Sequence, residues 1–183
     1  FRFIQAYGNI SRTYNNPTFN DLYWFPGGDS SLEPEDGWSW DLGTKLDFGY
    51  KRNKISLDLT YFESRINNHI IWLPDITGDW SATNIEKLRS RGVESALTYQ
   101  YQNRNYQFNL NLRYTYTKST YEESGNIEFE SIGKQLIYIP LHKAYVGMSV
   151  SYKKIYIKFY NNYVGERYTS KNNSKSIEPY LLS

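Results

Sequence analysis

Apolar and polar residues alternate along several segments of this chain, and no other feature of the sequence constrains its fold as strongly. From Trp38 to Tyr50 every second residue is apolar or aromatic, apart from Thr44, and the residues between them are Ser, Asp, Gly and Lys. Because successive side chains of a β-strand point to opposite faces, this segment is predicted to form a strand with one apolar and one polar face. The same period of two recurs in the segments 55–62, 93–101, 106–117 and 144–152, and more weakly in 1–13 and 155–168.

The connections between these segments are short at one end of the expected sheet and long at the other. Polar turns occupy 51–54, 102–105 and 153–154, whereas longer stretches rich in Gly, Asn and Ser occupy 14–37, 73–90, 119–142 and 169–177. Short periplasmic turns and long extracellular loops are typical of bacterial outer-membrane barrels. We therefore predict an all-β antiparallel meander that is part of a large transmembrane outer-membrane β-barrel. A soluble antiparallel sandwich or barrel is the alternative, although its strands are usually only about 5–6 residues long.

Composition and charge narrow the function classes. Aromatic residues make up 18% of the chain, hydrophobic residues 39%, and the mean hydropathy is −0.70, as expected for half-apolar strands. Tyr and Trp cluster at both ends of the predicted strands, where aromatic belts meet lipid headgroups. The net charge of +2 gives no reason to expect nucleic-acid binding, and there are no cysteines. No apolar run approaches the ~20 residues of a membrane-spanning helix. The chain starts at Phe1 and ends in what looks like a strand just begun, so we expect an excerpt of a longer protein.

Two short sequence boxes and several later elements resemble the TonB-dependent receptors of the outer membrane. The first box is PTFNDLY at 17–23, the second is LEPE at 32–35, and Asn84, a Gly-Val-Glu element and a Pro-x-His element follow in the family's order. Asn15-Asn16 and Ser30-Ser31 depart from the family's usual residues, which concerns the subfamily rather than the superfamily. The family-motif residues, expected to be structural, are Pro17, Thr18, Phe19, Leu22, Tyr23, Leu32, Pro34, Glu35, Gly92, Glu94, Pro140 and His142.

The resemblance implies the following fold and function. Residues 1–183 would form a partial receptor barrel of about seven strands plus the start of an eighth, and the plug domain would be absent from this chain. The receptor would lie in the outer membrane of a Gram-negative bacterium, in contact with its lipid. It would import a scarce small-molecule nutrient with energy from the TonB complex, transmitted through the missing plug.

Candidate ligand-binding residues are the large aromatics expected at the extracellular loops, because such rings can stack on or enclose a bulky ligand. They are Tyr23, Trp24, Phe25, Trp72 and Trp80. The alternative interpretation is that these rings pack the loops against one another. In haem receptors of the family a histidine commonly lies between the two boxes, and residues 18 to 31 contain none. A ferric siderophore or cobalamin is then expected, with preference for a siderophore because that class is the commonest.

Other chemistry is sparse. The two histidines, His69 and His142, are too far apart in the sequence to suggest a zinc pair. His142 is expected to be structural, whereas His69 could contact a ligand. No metal site and no cofactor are predicted, and no spacing of Ser, His and Asp suggests a catalytic triad, so we do not expect an enzyme. An outer-membrane barrel enzyme, or a passive porin or adhesin, remains the alternative to transport.

Overall fold

The computed structural model describes residues 2–74, 78–123 and 131–183, and nearly all of its regular structure is β-strand. One short helix, α1 (Phe19–Tyr23), interrupts the connection between the first two strands. The strands are β1 (Arg2–Asn15), β2 (Glu35–Tyr50), β3 (Asn53–Pro74), β4 (Trp80–Gln102), β5 (Tyr106–Glu123), β6 (His142–Tyr152), β7 (Ile155–Val164), β8 (Arg167–Tyr168), β9 (Ser176–Ile177) and β10 (Tyr180–Leu182).

Eight of these strands form one antiparallel sheet in the order β1-β2-β3-β4-β5-β6-β7-β10. Neighbours in the sheet follow one another along the chain, except that the small β8–β9 pair stands between β7 and β10. The sheet does not close on itself. The predicted all-β antiparallel meander is therefore confirmed. Within the described residues, no helix has the length and apolar character needed to cross a membrane.

The register of the strands places the alternating apolar residues on one face, as predicted. Leu46 pairs with Leu57, and this row of partners continues across the sheet through Leu97, Leu112 and Val146. A one-residue slip would turn a strand's apolar set to the opposite face, so the ladder and the sequence pattern specify the same register. Within the described residues, no second layer covers the apolar part of this outer face, which is why Leu42 is 61% exposed.

The opposite, inner face is polar, and its side chains interact across the strands. The Tyr7 hydroxyl on β1 donates to Asp58 Oδ1 on β3 over 2.6 Å and lies 2.5 Å from Thr60 Oγ1. Tyr7 reaches β3 because its ring lies over Gly43 of the intervening strand, where a Cβ would overlap the ring. Asn109 on β5 donates to Ser149 Oγ on the adjacent strand β6. The inner face thus satisfies many of its polar groups laterally.

Aromatic rings lie at both margins of the apolar outer face. Near the short turns, the ring centroids of Tyr106 and Tyr152 are 4.6 Å apart. Near the long connections, the Trp40 and Tyr61 rings are 5.2 Å apart. From Phe48 to Trp40 the chain advances eight residues, which corresponds to about 20 Å along the membrane normal for a tilted strand. The spacing agrees with the ~25 Å apolar band of outer-membrane barrels.

The prediction of long loops over 73–90 and 119–142 is wrong for much of both ranges. β3 continues to Pro74 and β4 begins at Trp80, so the two strands pair far beyond the apolar band. These arms carry polar and charged residues on both faces, and they therefore lack the alternation that revealed the other strands. β5 likewise continues to Glu123, and residues 131–141 fold back against it. Leu88, Tyr121 and Leu136 form a small buried cluster there.

We predict that Leu110→Arg lowers the free energy of unfolding of the full-length barrel by about 2–4 kcal/mol, because it places a charge near the middle of the lipid-facing band. Asn109→Arg is the matched control, since the neighbouring side chain points to the polar inner face and should cost less. Reversible unfolding in lipid vesicles measures both values. Equal destabilisation by the two substitutions would contradict the assignment of faces.

Candidate functional site

The first long connection begins with a helix turn that is fixed at its N-terminus. The Thr18 N–H donates to Asp21 Oδ2 at 2.8 Å, and the Asp21 N–H donates to Thr18 Oγ1 at 3.2 Å. This reciprocal capping box satisfies two backbone donors that the short helix α1 leaves without partners. The other oxygen of Asp21 accepts a 2.9 Å hydrogen bond from Trp72 Nε1 on β3. One carboxylate therefore caps the helix and joins it to the β3–β4 hairpin.

The environment of Asp21 favours its ionised form. Partial burial opposes ionisation, but hydrogen bonds from the Thr18 hydroxyl, the Trp72 ring and the Thr18 N–H outweigh it and lower the pKa of Asp21 below its ordinary value. Asp21 is thus an anion at neutral pH, when it accepts all of these bonds.

The connection lies directly against the hairpin at Gly27. The Ala82 N–H of β4 donates to the Gly27 carbonyl oxygen at 2.7 Å. A Cβ on Gly27 would overlap the Trp80 carbonyl and crowd the Trp72 ring. Only glycine permits this approach of the two backbones.

The second box attaches the same connection to the hairpin through two asparagines. The Glu33 N–H donates to Asn84 Oδ1 at 2.8 Å, and Asn84 Nδ2 donates to the Glu33 and Asn68 carbonyls at 3.1 and 2.7 Å. Asn68 Nδ2 donates in turn to Glu33 Oε2 at 2.8 Å. Asn68 has a left-handed φ of 53°, a conformation that asparagine tolerates better than most residues. The sequence indicates Asn84 and Glu33 only as motif positions, and no local signal points to Asn68.

Glu35 makes a further attachment at the start of β2. Its Oε1 accepts a 2.8 Å hydrogen bond from the Ile70 N–H. The same oxygen lies 2.7 Å from His69 Nδ1, although this nitrogen makes no hydrogen bond to the described residues. His69 therefore has a carboxylate neighbour inside the loop assembly, and its predicted contact with a ligand remains a prediction.

Three of the predicted aromatic residues lie together. Tyr23, Trp24 and Phe25 line an open pocket of about 240 Å³ with Phe19 and Asn20. Phe25 is 91% exposed and Trp24 59% exposed, so neither ring is occupied in packing the loop. The volume is below the ~300–1,000 Å³ of typical small-molecule sites. This pocket could supply one wall of a larger site.

The other two predicted aromatics have different surroundings. Trp72 is half-buried and its indole N–H bonds Asp21. Trp80 stacks on Tyr138, with ring centroids 6.4 Å apart. These contacts are compatible with the packing alternative, but Trp80 is also 45% exposed, and the ligand contact of both residues stays a prediction.

The remaining motif residues lie away from this assembly. Gly92 is buried beneath the Phe62 ring and the Tyr116 carbonyl, Glu94 is exposed, and Pro140 is buried. His142 contacts the rings of Tyr114 and Tyr116 on the outer face, and its Nδ1 lies 2.8 Å from the Tyr114 hydroxyl. These contacts agree with a structural role for His142.

Two further observations bound the chemistry of the site. In the described part of the chain, no three His, Cys, Asp or Glu side chains come close enough to hold a metal ion. A wider groove of about 640 Å³, lined by residues that include Lys45, Asp47, Ser56 and Gln100, lies near the short turns. It is remote from the aromatic pocket, and it follows the concave inner face of an open sheet.

Comparison with known proteins identifies the family. The family described as "TonB dependent receptor-like, beta-barrel" matches residues 2–182. Two curated relatives are named Vitamin B12 transporter BtuB. The protein from Photobacterium profundum is 26% identical over 95 residues, and the one from Vibrio vulnificus is 27% identical over 93 residues. Each match covers 50% of this chain, but only 15% and 14% of the respective transporters.

A solved structure shares the fold. The chain named Copper transporter OprC superposes with a TM-score of 0.68 at 16% identity, over 97% of this chain and 27% of that one. The resemblance stated from the motifs is confirmed, and with it the location in the Gram-negative outer membrane. This chain belongs to the TonB-dependent receptor family, and its strands are part of that family's outer-membrane β-barrel.

Proposed function

We propose that this chain is one part of an active transport receptor that imports a scarce nutrient across the outer membrane with energy from the TonB complex. The supporting observation is the attachment of the first long connection to the β3–β4 hairpin, which holds exposed aromatic rings at the extracellular end of the sheet. Residues 1–183 would contribute seven strands and the start of an eighth, and a plug outside this sequence would complete the site and contact TonB.

The proposed nutrient is cobalamin or a ferric siderophore. The motif resemblance favours a siderophore, the commonest ligand class, whereas the two curated relatives carry the name of vitamin B12 transporters. Both ligands are bulky, and both offer large apolar surfaces that exposed rings can cover. We therefore propose that Tyr23, Trp24 and Phe25 contact the ligand. Cobalamin is the first ligand to test, because both curated relatives carry its name.

Neither alternative function gains a specific observation. A barrel enzyme requires a catalytic group at a rim, and the histidines of this chain contact Glu35 and Tyr114 rather than a nucleophile. A passive porin or adhesin does not require the first connection to be fixed to the hairpin at both Asp21 and Glu33.

Trp24→Ala should weaken nutrient binding to the full-length receptor about tenfold, because an exposed ring that stacks on a ligand contributes roughly 1–1.5 kcal/mol. Equilibrium binding of cyanocobalamin and of a panel of ferric siderophores measures the change. Trp38→Ala is the matched control, since Trp38 is exposed but lies on the outer face of β2. If Trp24→Ala and Trp38→Ala have the same effect on every ligand, the aromatic pocket is not a binding surface.

Asn84→Ala should release the first connection from the hairpin. The substitution removes three side-chain hydrogen bonds, each with a net contribution of about 0.5–1.5 kcal/mol. Hydrogen exchange of the Glu33 amide in the assembled receptor should accelerate, and nutrient affinity should fall with it. Asn67→Ala changes an exposed asparagine of the same hairpin and serves as the control. Unchanged exchange at Glu33 would show that other contacts hold the connection.

Acid should loosen the same connection through Asp21. Because its folded pKa is depressed, Asp21 stabilises the folded connection fully above its ordinary pKa of 3.8 and loses that contribution as the pH falls below this value. Hydrogen exchange of residues 18–24 should therefore rise more steeply in the wild-type receptor than in Asp21→Asn as the pH is lowered below 3.8. Parallel profiles, after correction for the intrinsic exchange rate, would contradict this role.

A further inference from the structure

The segment 131–141, which leads from β5 into β6, lies against the inner side of the sheet; we call it the fold-back segment. Its Leu136 packs with Leu88 and Tyr121, which hold strand positions of inner-face parity on β4 and β5. The Leu136 N–H also donates to the Ser119 carbonyl oxygen at 2.7 Å. The fold-back segment is therefore fixed on the side of the sheet that faces the barrel interior.

Gln135 attaches this segment to the open edge of β5. Within the described residues, β6 begins at His142, opposite Tyr116, so β5 has no neighbouring strand beyond this row on that side. The Gln135 side chain accepts from the Ser119 N–H at 3.1 Å and donates to the Thr117 carbonyl at 3.3 Å. Its amide thus takes the place of a backbone peptide in the ladder. Gln135 is only 6% exposed, and a buried amide is costly unless it is hydrogen-bonded, so these bonds fix the segment.

The connection between β8 and β9 holds Gln135 from the other side. The Gln135 N–H donates to Asn173 Oδ1 at 2.8 Å, and Asn173 Nδ2 donates to the Gln135 carbonyl at 2.9 Å. Asn173 has a left-handed φ of 59°, which asparagine tolerates. The Tyr138 N–H donates to the Tyr168 carbonyl at 2.8 Å. Two long connections are therefore joined at Gln135 and again at Tyr138.

Tyr138 holds a backbone conformation that disfavours its own side chain. Its φ is 61°, in the left-handed region where glycine and asparagine are favoured and a tyrosine is an outlier. The residue is 44% exposed, so burial does not account for a large ring at this position. Strained residues persist where the surrounding structure fixes them, and they cluster at ligand-binding sites. The bonds at Gln135 and Tyr168 supply that restraint, and the strain points to a function for the ring.

The Tyr138 ring extends an aromatic surface that begins in the first connection. It stacks on Trp80, with ring centroids 6.4 Å apart, and Trp80 is itself 45% exposed. The Trp80 carbonyl lies against Gly27, where a Cβ would overlap it, and Gly27 closely follows Trp24 and Phe25 in the sequence. Exposed rings from two different connections therefore meet at the β3–β4 hairpin.

We propose that Tyr138 contacts the imported nutrient and, with Trp80, forms a second aromatic wall of its binding site. This inference rests on the proposed function. The pocket of the first connection has a volume of about 240 Å³, less than a bulky nutrient needs, so a second wall is required. The ligand recognised there has an extended apolar or planar surface that a ring can cover. Asn173 and Gln135 are positioning residues, since they hold the ring in place without touching the nutrient.

Tyr138→Asn is the decisive variant, because asparagine tolerates the left-handed backbone but removes the ring. Binding of cyanocobalamin and of a ferric tris-catecholate siderophore is measured on the full-length receptor in detergent. Affinity for the nutrient should fall about tenfold, while the unfolding temperature should not fall. Tyr138→Phe keeps the ring and should recover most of the loss. Ile132→Asn is the matched control, because it changes a 40% exposed side chain of the same segment and should leave the affinity unchanged.

A second pair of variants tests the positioning by Asn173. Asn173→Gly keeps the left-handed backbone but removes both bonds to Gln135, and it should weaken nutrient binding about threefold. Asn172→Gly is its control in the same connection, because the Asn172 side chain accepts from the Ser174 N–H instead. Tyr138→Asn/Asn173→Gly should bind no more weakly than Tyr138→Asn alone, since Asn173 acts through the ring. Additive losses would contradict this positioning role.

The outcomes separate this inference from the proposed function. If Trp24→Ala lowers the affinity and Tyr138→Asn does not, the second wall is wrong and the proposed function stands. A fall in unfolding temperature without loss of affinity, or an equal loss in Ile132→Asn, would also overturn the inference. A wild-type receptor that binds neither probe would overturn the proposed nutrients and the second wall together. If Tyr138→Asn fails to assemble, equal binding by Asn173→Gly and Asn172→Gly overturns the proposal.

Discussion

The continuous ladder of main-chain hydrogen bonds from β1 to β7 is the constraint on which the rest of this structure depends. In hydrocarbon there is no water to satisfy an exposed N–H or C=O group, so each strand must pair along its whole length inside the membrane. The register runs without interruption from Arg2↔Phe48 to Asn15↔Glu35 in the first pair, and comparably long ladders join β2, β3, β4 and β5. Once the ladder is set, the period of two decides which side chains meet lipid and which face inward.

The same ladder builds the platform of the candidate site. β3 and β4 remain paired as far as Pro74 and Trp80, well beyond the apolar band. The projecting arms supply Asn68, Trp72 and Asn84, and these side chains receive the first connection at the Asp21 carboxylate and the Glu33 backbone. A loop held at two separated points loses much of its conformational freedom before a ligand arrives. The conformational entropy of the loop is then lost when the receptor folds rather than when the ligand binds, which favours affinity.

Sequence predicted the membrane part of the molecule well because its signals are local. The alternation around Leu46, Leu57 and Leu112 indicated strands, faces and order, and the polar segments 51–54 and 153–154 indicated the tight turns. The arms of the β3–β4 hairpin were missed because polar and apolar residues are mixed on both of their faces and show no period of two. The attachment network was missed for another reason: Glu33 and Asn84 are 51 residues apart, and nothing in either neighbourhood indicates the other. Trp72 was predicted as a ligand contact from its size; the structure adds that its indole N–H donates to Asp21, and the ligand contact stays a prediction.

Charge is distributed differently on the two faces, and the register explains how a single strand can carry both arrangements. Inward-pointing polar groups find partners on the same face, as Tyr7 does with Asp58 across the sheet and Lys45 with Asp47 along one strand. On the outer face, charges are costly within the hydrocarbon, and the rows from Leu46 to Leu42 contain no Asp, Glu, Lys or Arg. Beyond these rows, the first charged residues toward the long connections are Glu63, Arg91 and Lys118, in the row of Trp40. Fixed charges on the outer face therefore stand only beyond the apolar rows, as the cost of placing an ion in hydrocarbon requires.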